Sequence, residues 1–197
     1  MLHWLSLPAA ARLLLALLLI DAWTYFWHRM NHRWRFLWRF HRVHHSDAKM
    51  DVTTANRFHF GEVFISSVMR VPVLVLAGMH LGELVIYETA LFAVVQLHHA
   101  NIGLPERLDR WLRAVIVTPA MHKVHHSRWQ PETDSNYASL FSFWDRLFRT
   151  FRLRPDPRTI EYGLPGFARE EQHTLAGLLT TPVERAEPQG TEERRVL

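Results

Sequence analysis

Apolar positions fall along this chain in two long runs separated by polar, histidine-bearing stretches. Residues 13–27 are apolar except for Asp21 and Thr24. With residues 5–11 ahead of them they approach the ~20 residues that cross a bilayer. No small-residue cleavage site follows, so the run reads as a retained span and not as a signal peptide. A second run, Val63 to Leu97, is punctuated by Pro72, Gly78 and Gly82. It is too long for one crossing and suits a helical hairpin, which returns the chain to the side it left. Residues 28–59 and everything from His98 onward then share one face of the membrane.

The polar stretches predict shorter elements. His28 and His41 would lie about 20 Å apart on one straight helix, so a bend is expected between Asn31 and Arg35 if both serve one site. Gln96 to Pro105 reads as the entry to a loop. Arg107 to Val117 is amphipathic, with Leu108, Trp111, Leu112 and Val115 on one side, and suits the interface. Thr118 and Pro119 open a helix as N-cap and first position. Phe141 to Phe151 is a second aromatic, amphipathic stretch, and Leu175 to Leu179 a short apolar helix. Beyond Pro182 the composition predicts disorder. The expected fold is an all-α integral membrane protein with three to four transmembrane helices, one N-terminal span plus a hairpin. A cytoplasmic, histidine-lined helical cap would hold a di-metal site. Residues 1–182 form a single domain and 183–197 a charged tail.

Composition changes this picture in three ways. The chain has 14 His, 8 Trp and no Cys among 197 residues, which excludes disulfides, thiolate ligands and iron–sulfur clusters of its own. Its net charge of +4 raises the question of nucleic acid. However, the arginines interleave with Trp, Phe and His beside apolar runs, and residues 29–49 carry six basic side chains against the one acid Asp47. By the positive-inside rule that segment faces the cytoplasm, with a bacterial inner membrane as the expected location.

The histidines carry the chemistry. His41-Arg42-Val43-His44-His45 recurs 81 residues later as His122-Lys123-Val124-His125-His126, and His28 and His32 add a pair four apart. Residues three and four apart share a helix face, so each H-x-x-H-H offers up to three imidazoles to one point. Eight such ligands are enough for two metal ions. His3 and His173 read as hydrogen-bonded core residues, and His80 as the hairpin tip. Asp21 shares a stripe with Tyr25, His28 and His32, and either orients a ligand imidazole or ties two helices together. Carboxylates near the clusters are few and H-E-x-x-H is absent, which disfavours calcium, magnesium and zinc hydrolase sites. Two irons and dioxygen, acting on a C–H bond of a lipid, fit best. A membrane zinc-dependent hydrolase and a non-catalytic metal- or haem-binding membrane protein are the alternatives.

The order H-x-x-x-H, H-x-x-H-H, H-x-x-H-H among membrane spans resembles the fatty acid hydroxylase / sterol desaturase superfamily of integral membrane di-iron oxygenases. So do WRFHRVHHS (Trp38–Ser46), RFHFGE (Arg57–Glu62), HHANIGLP (His98–Pro105), TPAMHKVHHS (Thr118–Ser127), ETDSNYASLFSFWDRLFRTF (Glu132–Phe151) and YGLPGF (Tyr162–Phe167). The resemblance implies that His28, His32, His41, His44, His45, His122, His125 and His126 are iron ligands. It implies a further ligand from the loop after the hairpin, His98 or His99, with His99 favoured. His59 is then a supporting, substrate-side or ligand residue, and Asn136 a further candidate ligand or supporting residue. Phe60 stands where the family often has Pro, which alters a turn more than the chemistry. The family also commonly has one or two spans ahead of the first histidine group, and a homo-oligomer is one way to close a fold that starts so near it. No flavin or nicotinamide fingerprint is present, so electrons are expected from a ferredoxin or small haem protein with its reductase.

Overall fold

The first apolar run becomes α1 (Ala9–Arg33), a 25-residue helix that continues through His28 and His32 in this computed structural model, which describes residues 2–184. The side chain of His3 and the charged tail beyond Glu184 lie outside the described residues. The expected bend falls at Trp34, whose extended backbone (φ −97°, ψ 115°) caps α1 and starts α2 (Arg35–His45). No glycine or proline marks the break. Its position follows from packing: α2 folds back on α1, and the buried Asn31 at the end of α1 donates to Glu62, at the start of the second apolar run, at 3.2 Å.

The second run forms the predicted hairpin, α3 (Phe60–Ala77) and α4 (Leu81–His99). Of the three expected breakers only Gly78 acts as one. It takes the left-handed conformation (φ 70°) that side chains resist, whereas Pro72 and Gly82 lie inside helices. Phe60 occupies the first position of α3, where proline is well tolerated. His80 sits at the tip, its backbone N–H held by Glu83 at 2.8 Å. Arg12 ties α1 to this tip through Glu83 (2.8 Å) and the Gly78 carbonyl (2.9 Å). The three helices α1, α3 and α4 are long and apolar enough to cross a membrane. Outward side chains such as Phe64, Val75 and Leu76 are about 70 % exposed (69, 72 and 74 %), as lipid-facing residues are.

Asp21 is the chief polar tie inside this bundle. Its carboxylate accepts from the Tyr87 hydroxyl on α4 (2.9 Å), the Phe141 backbone N–H (3.1 Å) and the Trp144 indole (2.8 Å). It therefore joins helices and cap, and it touches no imidazole.

The cap is built from short elements and departs from the sequence reading in three places. α4 carries on through His99, so the supposed loop entry at Gln96 is helical. The amphipathic stretch is helical only as α5 (Glu106–Leu112). Beyond it the chain turns and β-branched Ile116 forms an isolated antiparallel bridge with Phe141, Val117 N–H donating to the Leu140 carbonyl and Ser142 N–H to that of Val115, both at 3.0 Å. Phe141 to Phe151 yields one short helix, α8 (Phe143–Leu147), because Asp145 turns inward to accept from Tyr137 and Ala138 N–H groups. Between them, α6 (Pro119–His125) starts at Thr118 as expected, although the Thr118 side chain makes no capping bond. α7 (Gln130–Thr133) and α9 (Leu175–Thr180) complete the helices. The C-terminal segment straps α2: Arg42 donates to the Thr181 and Glu184 carbonyls and lies 5.0 Å from the Phe167 ring.

Replacing Asp21 with Leu keeps the branched shape and leaves the half-buried Phe141 N–H and Trp144 indole without their acceptor, while the Tyr87 hydroxyl keeps Thr24 at 2.8 Å. The expected cost is roughly 3 kcal/mol, read from chemical unfolding in mild detergent. Unchanged stability would show that this carboxylate is not the tie between α1, α4 and the cap.

Candidate metal centre

Four elements deliver imidazoles to one end of the bundle. α1 brings His28 and His32, α2 brings His41, His44 and His45, α4 brings His99, and α6 with its C-cap brings His122, His125 and His126. These nine divide into two groups. His28, His32, His41, His45 and His125 form one and His44, His99, His122 and His126 the other, the ligand-capable nitrogens in each group lying within 4.8 Å of one another. The i, i+3, i+4 repeat is thus split: within each H-x-x-H-H the three residues serve both points.

The hydrogen bonds fix which nitrogen faces inward. His28 Nδ1 lies 2.8 Å from the Tyr137 carbonyl, His125 Nδ1 2.7 Å from that of Ser135, and His99 Nδ1 2.8 Å from that of Val95. His41 Nδ1 meets the Glu62 carboxylate at 2.6 Å. A carbonyl only accepts, so each of the first three rings carries its proton on Nδ1 and turns a lone pair inward from Nε2. The inward atoms are close: His28 to His125 at 3.1 Å, His99 to His122 at 3.0 Å, His44 to His99 at 3.2 Å and His122 to His126 at 3.1 Å. His28 and His125 therefore point two lone pairs at each other across 3.1 Å, an arrangement that a shared cation relieves. Both nitrogens of His32 and of His45, with His41 Nε2, are buried without a hydrogen-bond partner. Buried polar atoms of this kind require an explanation, and a bound metal supplies one. The donor set fits first-row metals that favour imidazole.

Electrostatics point the same way. His44, His45, His122 and His126 are held well below the ordinary imidazole value, first by burial and then by neighbouring imidazoles. Burial lowers His125 to about 3. These rings stay neutral, the form that binds metal.

The remaining sequence candidates fall elsewhere. His98 packs on His122 with ring centroids 3.9 Å apart and lines the adjoining cavity, outside both groups. His59 is no part of the cluster: it caps α3, accepting from Gly61 N–H at 2.9 Å, and meets the Leu179 carbonyl at 3.2 Å. His173 is hydrogen-bonded as expected, to Arg57 and the Phe167 carbonyl, but only half-buried. Asn136 reaches no imidazole. It sits in the left-handed region (φ 50°), donates to the Met121 and Arg152 carbonyls and accepts from Arg152 N–H. That kink turns its two neighbours, Ser135 and Tyr137, so that their carbonyls receive His125 and His28.

Glu62 is the residue that sequence reasoning missed. It joins His41 to Asn31, and its second oxygen is buried without a partner. The signal was available: a carboxylate in the apolar start of a span, within RFHFGE, normally faces a protein interior.

A cavity of about 450 Å³ adjoins the cluster, reached by His28, His41, His44, His99 and His122 and walled by Trp23, Trp27 and Phe92. Its other walls are the facing sides of α1, α3 and α4.

Comparison with known proteins places these features in a group. The sequence profile of the fatty acid hydroxylase family matches residues 13–150. An ornithine lipid hydroxylase of Rhizobium tropici is 30 % identical over 159 residues, 81 % of this chain and 47 % of that protein. An alkylglycerol monooxygenase of Danio rerio is 32 % identical over 164 residues (82 % and 35 %). A cholesterol 25-hydroxylase of Mus musculus is 27 % identical over 183 residues (81 % and 57 %). The chain thus spans from about a third to somewhat over half the length of these relatives. No solved structure matches it significantly.

The neutral cluster makes metal-free stability depend on pH. As pH falls through about 6.5 an unfolded chain protonates these imidazoles, whereas the folded chain does not, so folding loses stability below that value. Asp145, raised to about 6 by burial, opposes this between 6 and its unfolded value of 3.8, one group against five. The urea midpoint of the metal-free protein is expected to fall steadily from about pH 7 to 5. A flat or rising midpoint would contradict a dry, neutral cluster.

Proposed function

The chain belongs to the fatty acid hydroxylase family, and from that we propose that it is an O₂-dependent membrane oxygenase that hydroxylates or desaturates a C–H bond of a lipid, with two irons as resident cofactor. The observation that carries this reading is the division of the buried imidazoles into two adjacent groups. His28, His32, His41, His45 and His125 would hold one ion, and His44, His99, His122 and His126 the other. When bound, two irons supply electrons to dioxygen and an oxidant able to attack an unactivated C–H bond.

The chain's own residues do the remaining work. The Tyr137, Ser135 and Val95 carbonyls hold His28, His125 and His99 in one tautomer and one orientation. The Glu62 carboxylate does the same for His41. The aromatic walls of the cavity bring an apolar chain up to the imidazoles and keep water from the reacting carbon. Because the cavity runs between candidate membrane spans, its substrate arrives from the bilayer. The names of the relatives (ornithine lipid, alkylglycerol, cholesterol) support a lipid of some kind. The pose of its chain against the cluster decides between hydroxylation and desaturation. Electrons come from a separate ferredoxin or small haem protein, docking on the cap. The basic stretch at residues 29–49 supports a cytoplasmic cap, in a bacterial inner membrane.

Protein purified anaerobically in mild detergent, without added zinc, is expected to carry about two irons per chain, the number its two imidazole groups suit. His44→Ala and His125→Ala, one from each group, should each lose iron and turnover. Stoichiometric zinc and no iron, even from iron-supplemented cells, would overturn the reading in favour of a hydrolase or structural site. Glu62→Ala is expected to weaken iron retention against a chelator by roughly 10–100-fold. Retention unchanged from wild type would remove Glu62 from the support of His41.

A further inference from the structure

The end of the cavity farthest from the histidines is charged, and holding the imidazoles does not require that charge. The cavity keeps to one face of α3, through Glu62, Ser66 and Arg70, and to one face of α4, from His98 to Glu88. Eight residues separate Glu62 from Arg70 and ten separate Glu88 from His98, about 12 and 15 Å along the respective helices. Arg70 and Glu88 therefore close the far end, joined to each other in an ion pair that links α3 to α4.

An ionisable pair within apolar helices is costly unless it faces a protein interior or a polar cavity, and such a pair adds little stability of its own. Arg70 is also under-used. A guanidinium has five N–H donors. Among the described residues this one hydrogen-bonds to Glu88 alone, its Nε buried without a partner, and it lies 5.8 Å from the Tyr87 ring centroid. Glu88 keeps lone pairs free and is 45 % exposed at its side chain. The cavity floor thus presents a donor beside an acceptor, with no net charge.

We propose that Arg70 and Glu88 are a specificity subsite for a neutral hydroxyl at one end of the lipid, and so select the carbon that lies at the histidines. The proposal rests on the lipid oxygenase reading and adds to it the class of substrate. A hydroxyl accepts from the guanidinium and donates to the carboxylate while the pair stays intact. An anion would sit against Glu88 and a cation against Arg70, in surroundings where like charges repel far more strongly than in water. The cavity volume of about 450 Å³ lies in the range of small-ligand sites, which suits a single chain or a fused ring system.

The test is equilibrium binding of radiolabelled hexadecanol, hexadecane and hexadecanoate to the metal-loaded protein in mild detergent, with no turnover required. Wild type is expected to prefer the alcohol over the alkane by about tenfold, the scale of one or two hydrogen bonds. The R70L/E88L variant should lose that preference and keep its metal content, whereas the charge exchange R70E/E88R should retain it. An unaltered preference in R70L/E88L, or tighter binding of hexadecanoate than of the alcohol by wild type, would overturn the subsite. A hexadecanol analogue with a photoreactive diazirine beside its hydroxyl gives a test independent of the variants. Label on α3 or α4 near residues 70 and 88 supports the assignment, and label on the histidine segments refutes it. The alcohol preference in protein that carries zinc and no iron, even from iron-supplemented cells, would sink the oxygenase reading and leave the subsite standing.

Discussion

Unprotonated imidazole nitrogens brought within about 3 Å of one another in a dry core repel, and the rest of this molecule is arranged to hold them there. The restraint comes from outside the cluster. Backbone carbonyls of Val95, Ser135 and Tyr137 and the carboxylate of Glu62 take the Nδ1 protons, which leaves the Nε2 lone pairs facing the two centres. Each of those acceptors depends on something further away. Asn136, in a backbone region few residues tolerate, aims Ser135 and Tyr137. Asp145 then anchors that loop through the Tyr137 and Ala138 N–H groups.

The spans serve the same end. α1 carries two of the histidines directly, and α4 carries His99 at its last turn. α3 carries none, yet its first turn supplies Glu62. Asp21, Tyr87 and Trp144 lock α1, α4 and the cap together at mid-span. The tie of Arg12 to the hairpin tip fixes the opposite end. A bundle fastened at its middle and far end leaves its histidine end to be set by packing. The face shared by α1, α3 and α4 opens as a cavity beside the histidines and is filled elsewhere, where Ile20, Leu74 and Tyr87 pack together. The ionisable groups along that cavity sit at its two ends: the imidazoles with Glu62 at one and Arg70 with Glu88 at the other.

The spans, the hairpin and the histidines that meet were legible along the chain. Run length decided the spans, since only a hairpin returns His98 onward to the side of His28. Spacing decided the clusters, since i, i+3 and i+4 on a helix must share a face. The N-cap at Thr118 and the break near Trp34 were also legible, the second from distance alone, because a straight helix would have parted His28 from His41.

Tertiary structure decided how the imidazoles divide, because His44 and His45 are neighbours in sequence and serve different groups. It separated His99 from His98, one residue apart at a helix end and turned by about 100°. It moved Asp21, His59 and Asn136 out of the cluster and brought Glu62 in, as these side chains have partners 15 to 123 residues away along the chain. Local pattern names the groups able to bind or support a metal. Which of them face one point depends on how helices remote in sequence are rotated against one another, and that is fixed by packing.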